Sequence, residues 1–414
     1  MPDVDPAAPM DLAPDSLALQ KESVGCLDSE SPLSSSSTAF SFVCLGVGGG
    51  PFDNNCSCYL MKPADRAWHD GTVLVEGGSF LGSLMECLEH PDKVFPDVEF
   101  PEGVNAEGRT EIFNSWISQV FLSHGHLDHI YGLVLASANN RAQRPVYGLQ
   151  DTLDTLLQVF NGRIWPRLAS YDETDPMAFY HLRCMRTGQV LSIDTDIDVT
   201  ALPISHGNTR LAVGTSVFQS VLDGPPIGPL PCHMDGDMST VVSTAFLFTN
   251  HRRDRDVLFM GDVEPDQVSG ASANFRLWKQ VAPRAAQGKL NAIFLECSFS
   301  SEQPDHLLFG HMTPVHLYRE LQALAQCVCA ERKISSTDQI LRGVKCIVIH
   351  IKGMTLSGDL KSYCYVPRPK KRPTSMQLPL HLESVIEQEL ADLEAQGRLG
   401  VEFIVARRGQ RIEC

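Results

Sequence analysis

The chain has 414 residues, 43% of them apolar, with 50 Asp+Glu against 34 Lys+Arg for a net charge of -16. That composition belongs to a soluble globule with a large core and excludes a collagen, a coiled coil and a wholly disordered chain. No apolar run reaches the ~18 residues of a membrane span, and the acidity disfavours a long polyanionic partner such as nucleic acid.

In chain order, residues 1–38 hold seven acids against one base, Lys21, and close in a Ser-rich run. They are expected to be a disordered tail. The acidic start shows no basic and apolar leader. The 13 cysteines are an odd number at irregular spacing, with no CxxC. Together these features give the expectation of a cytoplasmic protein with reduced thiols.

The ordered domain is expected over 39–414. Strands are predicted at 39–45, 58–61 and 72–75, the first running into a Gly-rich turn and the third into Glu76-Gly-Gly78. A helix is predicted from Gly82. A strand at 117–122 leads directly into SHGHLDH over 123–129, and a helix of small and apolar residues follows from Ile130. In the second half, strands at 198–204, 257–260, 292–295 and 345–349 run into His206, Asp262, Glu296 and His350 respectively. A further strand is predicted at 240–248. The Gly/Pro-rich segment 223–238 reads as an inserted loop and 367–376 as a basic linker. A helix at 315–329, another at 380–395 and a terminal hairpin at 400–412 complete the pattern.

The chemistry concentrates where strands end, because loops there can present side chains to one rim. His124, His126, Asp128 and His129 lie within six residues. On extended chain, residues i and i+2 face one way, so His124 and His126 can hold one ion. The turn into the helix swings Asp128 and His129 toward a neighbouring position. Imidazole with carboxylate suits zinc and tolerates manganese, iron or cobalt. Further ligands must come from elsewhere, and His206, Asp262 and His350 occupy suitable strand ends.

SHGHLDHIYGLV (123–134), LFGHMTPVHL (308–317) and LGVGGGPFDNNCSCYL (45–60) resemble blocks of the class II cyclic-nucleotide phosphodiesterases, a family of the metallo-β-lactamase superfamily. So do LVEGG (74–78) and LECSF (295–299). The resemblance implies an α/β fold, a four-layer αββα sandwich, with two divalent metal ions. By its layout, His124, His126 and His206 hold one ion, and Asp128, His129 and His350 the other. Asp262 bridges them, and a hydroxide between the ions attacks phosphorus. His311 becomes a proton donor to the leaving ribose oxygen, with Glu296 on its other ring nitrogen. A rival assignment makes His311 a ligand and leaves His350 in the core.

The implied reaction is hydrolysis of cAMP, and of cGMP, to nucleoside 5′-monophosphates. The expected partner is the cyclic nucleotide, with no nucleic acid and no membrane, and a homodimer by family habit. Two alternatives use the same fold. One is another hydrolase, such as a tRNA 3′ endonuclease. The other is a non-catalytic scaffold.

Overall fold

The first strand, β1 (Phe40–Gly46), is buried along its whole length. Phe40, Phe42 and Cys44 enter one apolar cluster, and Val43 and Leu45 enter another. A strand that buries both faces needs a layer on each side. The computed structural model, which describes residues 38–139, 143–210, 238–352 and 381–414, supplies those layers. All of these residues fall in one unit, Ser37–Cys414.

The first sheet is built from β1, β2 (Cys58–Pro63), β3 (Thr72–Val75), β4 (Ile117–Phe121), β5 (Arg144–Gly148), β6 (Ala169–Ser170) and β7 (Tyr180–Cys184). The second sheet takes β8 (Val190–Asp194), β9 (Ile197–Arg210), β10 (Met238–Asn250), β11 (Arg255–Met260), β12 (Leu290–Glu296), β13 (Lys345–Ile349) and β14 (Glu402–Val405). The last strand, β15 (Arg411–Glu413), returns to the edge of the first sheet beside β1.

The helices are α1 (Leu81–Glu89), α2 (Pro91–Val94), α3 (Ala106–Trp116), α4 (Leu127–Ala136), α5 (Gln150–Val159), α6 (Asp266–Ser269), α7 (Ala273–Ala286), α8 (Pro314–Arg332) and α9 (Leu382–Gly397). Leu84 of α1, Phe113 of α3, Leu133 of α4 and Leu156 of α5 pack on Leu60, Leu74 and Val120 of the first sheet. Trp278 of α7, Leu321 of α8 and Ile386 of α9 pack on Leu258, Ile293 and Val348 of the second. Between the sheets lies an aromatic seam. Phe42 meets Phe294 at 4.5 Å between ring centroids, Tyr59 meets Phe259 at 5.1 Å, and Phe121 meets Phe246 at 5.4 Å. Helix, sheet, sheet, helix is the expected four-layer order.

The pairing of β3, β4 and β5 is parallel, as is that of β11, β12 and β13. Their carboxyl ends carry most of the candidate site residues, where α/β proteins place ligands, while His206 lies within β9 and His311 just before α8.

Several expectations need correction. The terminal hairpin does not form. Instead, β14 pairs parallel with β13, and β15 pairs antiparallel with β1 in the other sheet. Alternating residues announce strands, but each strand goes to whichever sheet edge has unpaired backbone groups. The strand before His206 does not stop at Ile204 but runs through His206 to Arg210. The helix after the His cluster starts at Leu127, not Ile130. The tail at 1–37 and the basic linker at 367–376 lie outside the described residues. So does the loop at 223–238, apart from Met238, which opens β10.

Candidate metal centre

The His cluster takes its shape from the change of period that the sequence carries. His126 is still extended, at φ -67° and ψ 150°, and caps α4. His124 and His126 therefore sit on extended chain, while Asp128 and His129 occupy the first helical turn. Helix α4 is drawn against the loop after β3, where Gly77 N donates to His129 O and Leu133 N donates to Gly77 O. A Cβ at Gly132 would overlap the carbonyl oxygen of Gly78, so only glycine allows this approach.

Three groups of donor atoms result, each within 4.8 Å of one another: His124, His126 and His206; Asp128, His129, Asp262 and His350; and His206, Asp262, Glu296 and His311. Asp262, which is buried, stands between them. Its Oδ2 lies 3.8 Å from His124 Nε2, 3.6 Å from His206 Nε2 and 3.1 Å from His350 Nε2. Its Oδ1 lies 3.3 Å from His129 Nε2. His206 Nε2 is 3.2 Å from His126 Nδ1, and His350 Nε2 is 3.2 Å from Asp128 Oδ2.

On most of these rings the far nitrogen faces a polar neighbour. Ser123 Oγ meets His124 Nδ1 at 2.9 Å, Gly310 O meets His206 Nδ1 at 2.9 Å, and Ser298 Oγ meets His350 Nδ1 at 3.1 Å. Glu76 Oε2 lies 3.3 Å from His129 Nδ1. Such partners fix the ring orientation and tautomer of metal-bound histidine. Gly310 has φ +85°, and a Cβ there would press on the backbone of His206, so glycine lets its carbonyl reach the ring.

The electrostatics match a cation site. Burial, reinforced by neighbouring His129, pushes the His124 pKa well below its ordinary value. Burial also brings His206 down to about 4. Both rings are thus neutral at pH 7, as ligands must be. Burial opposes ionisation of Asp262, but His350 and His129 outweigh it and hold the carboxyl well below the usual range. Asp128 is also held low, with the His350 hydrogen bond overcoming partial burial. Burial likewise acts against a charge on His129, but the Asp262 and Glu76 carboxylates win and raise its pKa well above normal. Meanwhile, the buried His124 Nε2 has no hydrogen-bond partner. A desolvated lone pair costs about 1–3 kcal/mol if left unmet. The neutral rings of His124 and His206, the ionised carboxylates and that unmet atom fit divalent metal.

The structure thus brings together all seven predicted ligands. Both candidates for the disputed place, His311 and His350, are in the cluster, with ring centroids 5.1 Å apart. His350 lies in the group with Asp128 and His129. His311 Nδ1 lies 3.0 Å from both oxygens of Glu296, which also accepts from Val263 N at 2.7 Å and from Ser298 Oγ at 2.8 Å. Two residues carry a role that the sequence reading did not assign, although both fall within the quoted blocks. Glu76 is buried beside His129, and Ser298 joins Glu296 to His350. The available signal for Glu76 was a carboxylate closing an apolar strand just before two glycines.

Residues 94–409 match the family model of class II cAMP phosphodiesterases. The chain belongs to this family. Among class II relatives, it is 28% identical over 383 residues to the 3′,5′-cyclic-nucleotide phosphodiesterase of Schizosaccharomyces pombe, covering 90% of this chain and 92% of that one. It is 30% identical over 294 residues to the enzyme of the same name from Aliivibrio fischeri, covering 70% and 77%. In fold, it superposes on the crystal structure of unliganded yeast PDE1 with a TM-score of 0.69 at 22% identity, covering 91% of this chain and all of that one. The metallo-β-lactamase fold protein YhfI from Bacillus subtilis gives 0.50 at 14% identity, covering 91% and 99%. As a class II phosphodiesterase, the protein is a hydrolase of 3′,5′-cyclic nucleotides. Among its described residues, no helix is long and apolar enough to cross a membrane.

Proposed function

We propose that the protein hydrolyses cAMP, and cGMP as a second substrate, to the nucleoside 5′-monophosphates at a centre of two divalent ions, zinc in the first instance. His124, His126 and His206 would hold one ion, and Asp128, His129 and His350 the other, with Asp262 reaching both. The observation that carries this reading is the place of Asp262, whose oxygens lie between two sets of imidazoles. Bound there, the ions would supply a water acidic enough to attack at neutral pH and charge to neutralise phosphate oxygens.

The protein's own residues manage the proton. Hydrolysis forms a P–O bond to water and breaks the bond from phosphorus to the 3′ oxygen, which must be protonated as it leaves. Burial holds His311 down to about 4, so alone it is a poor source of a proton at pH 7. Burial and the Asp262 charge push Glu296 up to about 7. Hydrogen-bonded at 3.0 Å, the two act as one store. His311 gives up a proton from Nε2 and recovers one at Nδ1 from Glu296.

The test is turnover of cAMP and cGMP by protein loaded separately with zinc, manganese and cobalt, with metal content and product identity measured together. Asp128→Ala is the control. The expected product is the 5′-monophosphate at two ions per chain. No turnover with any of the three metals refutes the proposal.

A further inference from the structure

Lys352 stands at the lip of the metal centre with no counter-charge among the described residues. Its backbone is fixed, with its N–H donating to Ser298 O at 3.2 Å, two residues beyond His350. The neighbouring Ile351 forms a bridge to Gly48. The half-buried side chain turns back, and Nζ donates to Gly49 O at 3.1 Å. Gly49 leans on the centre itself, since a Cβ there would fall inside the His350 ring. Burial is the main reason His311 resists protonation, and the charge of Lys352 adds to it, which places the ammonium within electrostatic reach of that ring.

Among the described residues, no carboxylate lies within 4 Å of Lys352 Nζ. An ammonium has three donors. One is spent on Gly49, and that bond holds the head in place. Two N–H groups and a full charge are left beside a centre that handles an anion. A partly desolvated cation with no described carboxylate beside it lowers stability rather than raising it, so the described fold does not explain its charge.

We propose that Lys352 contacts the phosphate of the cyclic nucleotide, donating to a non-bridging oxygen and gripping it harder in the transition state. The inference rests on the reading given under Proposed function. A cyclic phosphodiester carries one negative charge. Attack by an oxygen nucleophile gathers a second on the phosphoryl oxygens before the 3′ oxygen leaves. A fixed cation stabilises the second state more than the first, which raises kcat as well as affinity. The compact charge of lysine suits one oxygen, whereas a bidentate grip would call for arginine.

The experiment compares Lys352→Met, Lys352→Gln and Lys352→Arg in the metal-loaded protein. Three readouts are kinetics on cAMP, inhibition by 5′-AMP against uncharged adenosine, and metal content. Loss of a hydrogen bond to a charged group predicts about a 10- to 100-fold fall in kcat/KM for Met and Gln. It also predicts weaker inhibition by 5′-AMP, unchanged inhibition by adenosine, retained metal, and partial recovery in Arg. Recovery by Gln, which can still donate to Gly49 O without charge, would overturn the proposal in favour of a structural pin. So would unchanged inhibition by 5′-AMP, or loss of metal from both neutral variants. Failure of the wild type to turn over cAMP would instead refute the functional reading, and direct binding of 5′-AMP against adenosine, measured by calorimetry on the metal-loaded wild type and variants, would still decide Lys352.

Discussion

If the centre holds two ions as proposed, replacing Glu76 by Gln should weaken one metal position and spare the other. Glu76 is buried, with Oε2 lying 3.3 Å from His129 Nδ1. Its oxygens also accept from Ser123 N at 3.3 and 3.4 Å. Gln keeps the shape and one acceptor but removes the charge. A charge-assisted hydrogen bond contributes about 1.5–3 kcal/mol against about 0.5–1.5 for a neutral one. The difference, about 1–1.5 kcal/mol, is roughly tenfold in affinity and falls within the range seen for such supporting residues. The loss should concentrate on the ion at Asp128, His129 and His350, because His124 and His206 are steadied by Ser123 Oγ and Gly310 O instead. Titration with a competing chelator should therefore show one ion leaving about ten times more readily and the other unchanged. The pH dependence has a definite sign. Glu76 helps to raise the His129 pKa, so in the wild type protons compete with metal for that ring. Gln lowers this competition, and the deficit should be smaller at pH 6 than at pH 8. Equal weakening of both ions, or no weakening, would refute the reasoning.

On the same proposal, His311→Ala should retain its metal and lose about 10²–10⁴-fold in kcat, the usual worth of a positioned proton donor. Metal analysis beside kinetics checks this, and loss of an ion would make His311 a ligand. Gly132→Ala should destabilise by about 1–3 kcal/mol, because its Cβ would overlap the Gly78 carbonyl and force α4 off the loop that carries Glu76. A denaturant midpoint equal to that of the wild type would show that the backbone there yields freely.

The site was legible because strand ends are local. An apolar run and the polar residue that stops it are adjacent in sequence, so His206, Asp262, Glu296 and His350 could each be picked out. What was not legible depended on pairing. Glu76 matters only because β3 lies parallel to β4, with Val75 opposite Phe121, which sets it beside the chain leading to His129. No local pattern carries that register. The rivalry between His311 and His350 had the same origin, since both lie near Asp262, and only their distances from Asp128 and Glu296 separate them. Helix α7 was missed for a different reason. It carries Pro283 in its last turn, a residue that argues against a helix, and its burial comes from the second sheet. The supposed hairpin failed because two nearby strands were assumed to seek each other, when each had a bare sheet edge to fill.

That last pairing also bears on how the protein is made. Backbone bonds join Phe40 to Cys414, and Ser41 Oγ donates to Glu413 across 372 positions of sequence. While the chain grows on a ribosome, β1 has β2 on one flank within seconds, but nothing on the other until β15 emerges. At roughly 5–20 residues per second, the wait is on the order of 20–70 seconds. For that time, a strand of Phe40, Phe42, Val43 and Leu45 shows an open edge, the kind of surface that recruits stray strands. The nascent chain, more than the finished enzyme, should be the form that needs a chaperone.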